Sequence, residues 1–242
     1  MTRDPRPSIA RLDNLSLRDQ LRVDRLPLRA LQMMVGLTGF GFSLALLLES
    51  GLGGAPWDVL HTALADRLGL TVGTLSISVS FVVLLLFLPL RERIGIGTIA
   101  NAIWVGVSID LGMLVLPEAR GVPLAVAMML LGVILNGISG AVYIGAQLGA
   151  GPRDGLMTGL GRVLTRPVGP IRIVLEVIVL ITGTLLGGAL GVATVVYALG
   201  LGPIIQLTLP YVTNPVRTVN GREIAAPRAP QSKPAPGPAQ LR

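Results

Sequence analysis

The sequence contains no cysteine and a single histidine, His61, among its 242 residues. Disulfides, thiolate metal sites and thiol nucleophiles are therefore excluded, and so is any metal site built from several histidines. No phosphate-binding lysine loop, serine-elbow motif or dinucleotide fingerprint occurs in a suitable setting. We therefore expect no enzymatic activity, no bound metal and no cofactor.

Charge is also scarce, since only 14% of the residues are charged and 51% are hydrophobic. A soluble domain of ordinary composition has about 25% charged residues. The charges crowd into the N-terminal segment, the C-terminal segment and a few short clusters. The net charge of +7 would suit nucleic acid, but basic residues also collect on the cytoplasmic flanks of membrane helices. We therefore expect the partner to be the lipid bilayer and not nucleic acid.

Apolar stretches of the chain are long enough to cross a bilayer core, which requires about 20 residues of helix. Six stretches qualify: Ala30–Leu48, Val72–Leu90, Ile94–Leu116, Val122–Ala146, Val168–Leu186 and Leu190–Leu209. Two more segments, Pro56–Leu68 and Pro152–Leu164, have helical character but are too short and too polar to span. The sequence leaves open whether these short helices are re-entrant or interfacial. It predicts an all-α, polytopic helical membrane protein.

The chain contains an internal repeat. A shift of 96 residues places Leu52–Leu60 on Leu148–Leu156, which aligns a Gly-rich turn followed by Pro-x-Asp in both copies. The same shift aligns further glycines and threonines: Gly36 with Gly132, Gly41 with Gly137, Gly73 with Gly169, Gly95 with Gly191, Thr98 with Thr194 and Gly106 with Gly202. Each copy holds three spans, an odd number, so the two copies enter the membrane from opposite sides. We therefore expect a 3+3 inverted repeat.

The predicted domains follow from the repeat. Residues 1–29 form a basic N-terminal segment, 30–118 the first repeat, 119–211 the second repeat and 212–242 a Pro-rich disordered tail. A cytoplasmic N-terminus places eighteen of the twenty basic residues inside, which leaves only Arg67 and Arg120 outside. Because basic residues mark the cytoplasmic side, both termini are predicted to be cytoplasmic.

The repeated turn, at Gly53–Asp58 and again at Gly149–Asp154, resembles that of the YczE/YyaS/YitT group of bacterial multipass membrane proteins. The likeness is greatest to the YczE branch and covers about Gly36 to Tyr211. It implies a multipass helical fold and a location in the bacterial inner (plasma) membrane. It supplies no substrate and no functional residues.

The two turns contain the first candidate site residues. Asp58 and Asp154 fall at the third helical position, where a carboxylate meets free N–H groups and the positive end of the helix dipole. They either cap two helix starts or help to frame a substrate site, as broken helices do in transporters. Trp57 and Arg153 share one repeat position; Trp57 suits a membrane interface, and Arg153 is either a positive-inside charge or a ligand for an anionic group. His61 is expected to be an interfacial polar residue.

Polar residues within the spans are the second group of candidates, since charge inside a membrane is costly and usually functional. Asp110 is the leading candidate for a proton-linked carboxylate. Glu176 lies one turn after Arg172, so an ion pair at the membrane edge is the alternative. Asn101 and Asn136 add polarity to spans three and four. Polar contacts between helices are the alternative interpretation of Asp110 and both asparagines.

The leading functional prediction is a small-solute transporter or exporter of the alternating-access type, with its site between the repeats. The candidate substrate-binding residues are Asp58, Trp57, Arg153, Asp154, Asp110, Glu176, Asn101 and Asn136. The alternative is a non-transporting membrane scaffold that assists the assembly or regulation of a partner protein. The solute is unknown, and the sequence leaves open whether the protein forms a homo-oligomer.

The predicted topology can be tested with single cysteines, because the native chain has none. An impermeant thiol reagent applied to intact cells should label a cysteine at Glu118, which follows span three, but not one at Glu92, which follows span two. The reverse labelling pattern would exclude a cytoplasmic N-terminus.

Overall fold

The computed structural model describes residues 17–214, 218–219 and 222–223. These residues form nine helices and one short antiparallel ladder. The elements are α1 (Leu17–Gln20), α2 (Leu26–Glu49), α3 (Pro56–Leu68), α4 (Val72–Leu90), α5 (Ile96–Val115), α6 (Val122–Gly145), α7 (Pro152–Val163), α8 (Val168–Leu185), α9 (Val192–Val212), β1 (Thr218–Val219) and β2 (Arg222–Glu223). Apart from the ladder, the described chain is helical, as predicted. Most of the predicted tail, and residues 1–16, lie outside the described residues.

Six helices, namely α2, α4, α5, α6, α8 and α9, are long and apolar enough to cross a membrane. Many of their aliphatic side chains face away from the bundle; Leu85 is 65% exposed and Leu114 is 82% exposed. So large a number of exposed aliphatic side chains is costly in water but favourable in contact with lipid tails. The chain is thus a multipass integral membrane protein, and the two predicted short helices are present as α3 and α7.

The first span starts four residues before the predicted Ala30 because the charge of Arg29 is satisfied inside the bundle. Arg29 is only 2% exposed, and its guanidinium donates to the carbonyl oxygens of Asp24, Ala146 and Asn214 at 2.9, 3.3 and 2.7 Å. These bonds replace the water that a buried guanidinium would otherwise require. They also join the start of α2 to the ends of α6 and α9.

The region predicted as a separate N-terminal segment contributes to the bundle from Gln20 onwards. The Gln20 side chain is 2% exposed, and its Oε1 accepts the N–H of Ile96 at 2.8 Å. This bond satisfies one of the free N–H groups at the start of α5. Residues 20–29 therefore belong to the fold, although the sequence predicts a boundary after residue 29.

The helices α2 and α6 form the centre of the bundle, and they approach closely through glycines. A Cβ at Gly36 would lie 2.5 Å from the backbone nitrogen of Tyr143, and a Cβ at Gly132 would lie 3.0 Å from the carbonyl oxygen of Ser43. Small residues at these positions thus let the two helix backbones pack in direct contact.

Two further helices pack on this centre through a second pair of glycines. A Cβ at Gly41 in α2 would lie 2.4 Å from Cβ of Ser108 in α5, and one at Gly137 in α6 would lie 2.4 Å from Cγ2 of Ile204 in α9. Each residue of the first contact has its counterpart in the second exactly one repeat length, 96 residues, later in the chain.

The backbone shows the same spacing. Ten described residues have φ in the left-handed range, and they form five pairs separated by 96 residues. The pairs are Arg25 with Gly121, Gly51 with Gln147, Gly53 with Gly149, Gly69 with Thr165, and Arg91 with Gly187. The two halves of the chain therefore turn at corresponding positions.

The two short helices are exchanged between the halves, since α3 packs on α8 and α7 packs on α4. At the first contact, a Cβ at Gly183 of α8 would lie 2.6 Å from the backbone nitrogen of Leu60. At the second, the small residue is on the short helix, where a Cβ at Gly155 would lie 2.3 Å from the ring of Phe87.

The halves differ in how their second and third spans meet. A Cβ at Gly73 in α4 would lie 2.1 Å from the carbonyl oxygen of Gly106 in α5, so these helices are in backbone contact. The corresponding residues of α8 and α9, Gly169 and Gly202, have no such atom within 4 Å. The contact that closes α4 against α5 is thus missing between α8 and α9.

One detail of the structure refines the labelling experiment described above. Glu118 is exposed, which suits a reporter cysteine. The Glu92 side chain is 6% exposed and pairs with Arg162 at 3.1 Å, so a cysteine there would react slowly from either side. The exposed neighbour Arg91 is the better position.

The difference between the halves predicts opposite effects of two matched substitutions. Gly106→Ala should lower the free energy of unfolding by about 1–3 kcal/mol, because its methyl group meets the backbone of α4. Gly202→Ala should have no effect or stabilise by up to about 1 kcal/mol, because alanine favours a helix interior and nothing lies in its way. Thermal unfolding of the two purified variants measures the difference; equal melting temperatures would contradict it.

Candidate functional site

Two glycine turns position the candidate site. Gly53 and Gly149 have φ of 102° and 113°, which favours glycine at both turns. The carbonyl of Leu52 accepts the N–H of Ala193 at 2.9 Å, at the start of α9, and the carbonyl of Leu148 accepts the N–H of Gly97 at 2.7 Å, at the start of α5. Each turn is therefore bonded to the third span of the other half.

The first turns of α3 and α7, which follow these turns, line a cavity of about 70 Å³ between the halves. Its polar lining comes from corresponding positions of the two halves: Trp57 and Arg153, Ser76 and Arg172, Ser80 and Glu176, and Asn101 and Tyr197. Tyr143 and Asp154 complete it. We call this space the central cavity.

Five of the predicted site residues lie together in the central cavity: Trp57, Asn101, Arg153, Asp154 and Glu176. The other three, Asp58, Asp110 and Asn136, do not line it. The sequence therefore identified most of the charged lining, but it also included residues with other contacts.

The ion pair that the sequence places at the membrane edge faces the central cavity instead. Nε of Arg172 lies 2.9 Å from Oε1 of Glu176, one helical turn apart on α8, and both side chains line the cavity. Each charge is neutralised by the other, which reduces the cost of placing both inside a membrane protein.

Asp154 is bound by a tyrosine and not by its own helix. Its Oδ2 accepts the hydroxyl of Tyr143 at 2.5 Å, and none of the side-chain hydrogen bonds among the described residues joins it to a backbone N–H of α7. The carboxylate still lies in the first turn of α7, where the helix dipole favours negative charge.

Asp58 forms a buried pair with His61. Both side chains are 0% exposed, and Nδ1 of His61 lies 3.5 Å from Oδ1 of Asp58. Neither oxygen of Asp58 accepts a hydrogen bond from the described residues, so Asp58 does not cap α3 through a helix N–H. The sequence predicts an interfacial His61, but the structure shows that this side chain is buried. Burial lowers the pKa of His61, and the nearby carboxylate opposes that shift only in part.

Asp110 lies outside the central cavity and binds the start of α4. Its Oδ1 accepts the N–H of Gly73 at 2.8 Å, and its Oδ2 accepts the hydroxyl of Thr71 at 2.6 Å. These bonds satisfy groups at a helix N-terminus and hold α4 against α5. This contact supports the interpretation of Asp110 as a polar contact between helices.

Asn136 is fully buried and joins three helices. Its Nδ2 donates to Oγ of Ser43 at 2.7 Å, and its Oδ1 accepts the hydroxyl of Tyr197 at 3.0 Å. Asn136 therefore positions Tyr197, which does line the central cavity.

Sequence reasoning missed the hydroxyl groups of the lining, contributed by Ser76, Ser80, Tyr143 and Tyr197. Isolated hydroxyls are common in membrane helices, where they bond to their own backbone or to a neighbouring helix. The alignment of Tyr197 with Asn101 was the available signal, because both positions of that repeat pair are polar. Nothing in the sequence marks Tyr143.

Two further cavities lie beside the short helices. The α7 vestibule, of about 380 Å³, is lined by residues that include Arg93, Thr158 and Arg162, and the α3 vestibule, of about 200 Å³, by residues that include Thr62 and Asp66. Nine lining positions of the α7 vestibule have their counterparts, 96 residues away, in the α3 vestibule.

The vestibules differ in their relation to the central cavity. Asp154 and Ile144 line both the α7 vestibule and the central cavity. The α3 vestibule shares no described lining residue with the central cavity, and the counterpart of Asp154, which is Asp58, is fully buried. The central cavity is therefore adjacent to one vestibule and separated from the other.

Comparison with known proteins places this architecture in a family. The model of a family of unknown function, DUF6198, matches residues 27–210. The chain belongs to this family. An uncharacterized protein of Haemophilus influenzae is 33% identical over 177 residues, which cover 73% of this chain and 81% of that protein.

Two relatives come from Bacillus subtilis. The uncharacterized membrane protein YczE is 33% identical over 80% of this chain and 91% of its own length. The uncharacterized protein YyaS is 24% identical over 78% of this chain and 96% of its own length. The resemblance suggested by the repeated turn is thus confirmed. No solved structure matches the chain.

The buried pair on α3 predicts non-additive effects on stability. His61→Leu should lower the free energy of unfolding by about 1–3 kcal/mol, because it replaces the polar imidazole beside the buried Asp58 carboxylate with an apolar side chain. Adding Asp58→Asn should recover at least half of that loss, because the remaining amide carries no charge. Met157→Leu, at the corresponding buried position of α7, is the control and should cost less than about 1.5 kcal/mol. Thermal unfolding of the parent, of His61→Leu, Asp58→Asn and Met157→Leu alone, and of the double variant tests the coupling; strictly additive losses would contradict it.

Proposed function

We propose that the protein is a small-solute transporter or exporter that works by alternating access, with its binding site in the central cavity between two inverted repeats. The observation that carries this proposal is the shared lining of the cavity, to which both halves contribute polar residues from corresponding positions. Binding sites at the interface of repeats, framed by the ends of broken helices, are characteristic of secondary transporters.

The repeat is supported by contacts as well as by sequence. Backbone turns, glycine contacts and the two turn-to-helix hydrogen bonds all recur at a separation of 96 residues. Three spans precede the second copy, so its helices run opposite to those of the first. Within this arrangement α3 and α7 are re-entrant helices, whose first turns approach the same cavity from opposite sides.

The distribution of basic residues supports a direction. The α7 vestibule contains Arg93 and Arg162, whereas the α3 vestibule contains no basic residue among those described. By the positive-inside rule the α7 vestibule faces the cytoplasm and both termini are cytoplasmic, in a bacterial inner membrane.

The structural difference between the halves then has a functional meaning. The closed contact, between α4 and α5 at Gly73 and Gly106, lies toward the outer side, and the open one, between α8 and α9, toward the cytoplasm. The central cavity also adjoins the cytoplasmic vestibule. We infer that this is an inward-facing state. In the outward-facing state, α8 and α9 would adopt the closed contact now seen between α4 and α5, and α4 and α5 would separate.

This exchange predicts reciprocal changes in cysteine reactivity. Asp110→Asn weakens the bonds that hold α4 against α5, so it should shift the equilibrium toward the outward-facing state. Labelling of Thr62→Cys in the α3 vestibule should then become about fivefold faster, and labelling of Thr158→Cys in the α7 vestibule slower. The factor corresponds to a loss of about 1 kcal/mol in the stability of the inward-facing state relative to the outward-facing one. The measurement is the rate of thiol labelling of purified protein in lipid nanodiscs, where the reagent reaches both faces.

The matched control is Gln206→Ala, since Gln206 is the repeat counterpart of Asp110. A Cβ at Gly169, the counterpart of Gly73, would have no atom of another helix within 4 Å. Gln206→Ala should leave both rates unchanged. A scaffold with one rigid conformation would show no reciprocal change in the Asp110→Asn variant. Faster labelling at both positions would indicate general loosening of the bundle, and either result would contradict alternating access.

A further inference from the structure

Arg153 is the one charged side chain of the central cavity that has no hydrogen-bond or ion-pair partner among the described residues. Arg172 and Glu176 pair with each other, and Asp154 accepts the Tyr143 hydroxyl. Arg153 is half-buried, and its guanidinium carbon lies 5.0 Å from the ring centre of Trp57. This cation–π contact holds the guanidinium in place but uses none of its N–H groups.

A positive-inside charge does not explain this position. Arg93 and Arg162 line the α7 vestibule, where such charges are expected, but Arg153 lines the central cavity. A guanidinium inside a membrane protein normally has carboxylate or carbonyl partners, as Arg172 and Arg29 have here. The five donors of Arg153 are left for the contents of the cavity.

Other donors surround the same space. Trp57 is 6% exposed, and its buried indole N–H has no hydrogen-bond partner among the described residues. The amide of Asn101 also lines the cavity and makes no hydrogen bond within the described chain. The first turns of α3 and α7 both border the cavity, so two helix dipoles direct their positive ends toward it.

We infer that the central cavity binds the carboxylate group of a small solute, with Arg153 as the main ligand and Trp57 and Asn101 as further donors. This inference rests on the proposed function and names the class of its solute. A planar guanidinium matches a carboxylate through two parallel hydrogen bonds, which a point charge does not provide. Because Asp154 lies in the same cavity, the carboxylate can belong to a simple organic acid or to an amino acid whose ammonium group meets Asp154.

The test uses Trp57 as its own reporter. The chain has two tryptophans, so Trp104→Phe leaves Trp57 as the sole indole. The purified protein in nanodiscs is titrated with sodium acetate, sodium succinate, L-alanine and, as a cation without a carboxylate, choline chloride. At least one carboxylate should change the Trp57 emission saturably, and choline should not. A response to acetate or succinate identifies the organic-acid class, and one to alanine alone identifies the amino-acid class.

Arg153→Gln should weaken that binding at least tenfold, and Arg153→Lys at least threefold, because lysine keeps the charge but not the paired donors. Arg166→Gln, an exposed arginine outside the cavity, is the matched control and should bind like the parent. Thermal unfolding of each variant verifies that it is folded. If the glutamine variant does not fold, the lysine variant decides the outcome.

Three results would overturn the inference: no carboxylate binds, choline binds equally well, or the Arg153 variants bind like the parent. The reciprocal labelling described above needs no ligand. Reciprocal labelling without carboxylate binding would therefore reject this solute class and retain the transporter, whereas loss of reciprocity would reject the transporter itself.

Discussion

A backbone that leaves its helix inside a membrane protein must find new hydrogen-bond partners within the protein. The turns before α3 and α7 do so across the halves, where the carbonyls of Leu52 and Leu148 accept N–H groups at the starts of α9 and α5. Each turn is thereby fixed beside a helix of the other half. Together with the packing of α3 on α8 and of α7 on α4, these two bonds position both short helices and the cavity that their first turns border.

The exchange of α3 and α7 between the halves determines which residues meet. Trp57 on α3 lies against Arg153 on α7, although they occupy the same position in the repeat. Asp58 and Asp154 also correspond, yet one is buried beside His61 and the other accepts the Tyr143 hydroxyl. Residues at corresponding positions of the two halves thus have different partners, because the helices around them differ in sequence and in packing.

Much of the fold could be predicted from sequence, because its causes are local. Length and hydropathy located the six spans, and Pro56 and Pro152 marked the starts of the short helices correctly. The roles of Asp110 and His61 could not be predicted in the same way. The carboxylate of Asp110 binds Gly73, 37 residues away, and His61 is buried within a helix that packs on α8 and α4. Such contacts depend on how helices assemble, which hydropathy does not encode.

The charges of the central cavity are concentrated in the second half of the chain. Arg153, Arg172 and Glu176 have Trp57, Ser76 and Ser80 as their counterparts in the first half. Arg172 and Glu176 lie on α8, the span that lacks close contact with α9. Under the proposed function, α8 would move toward α9 and carry this ion pair with it. In the same transition α4 would move away from α5 and carry the hydroxyls of Ser76 and Ser80 with it. The solute would then meet a different set of charged groups in each state, which is the differential affinity that coupling between binding and conformation requires.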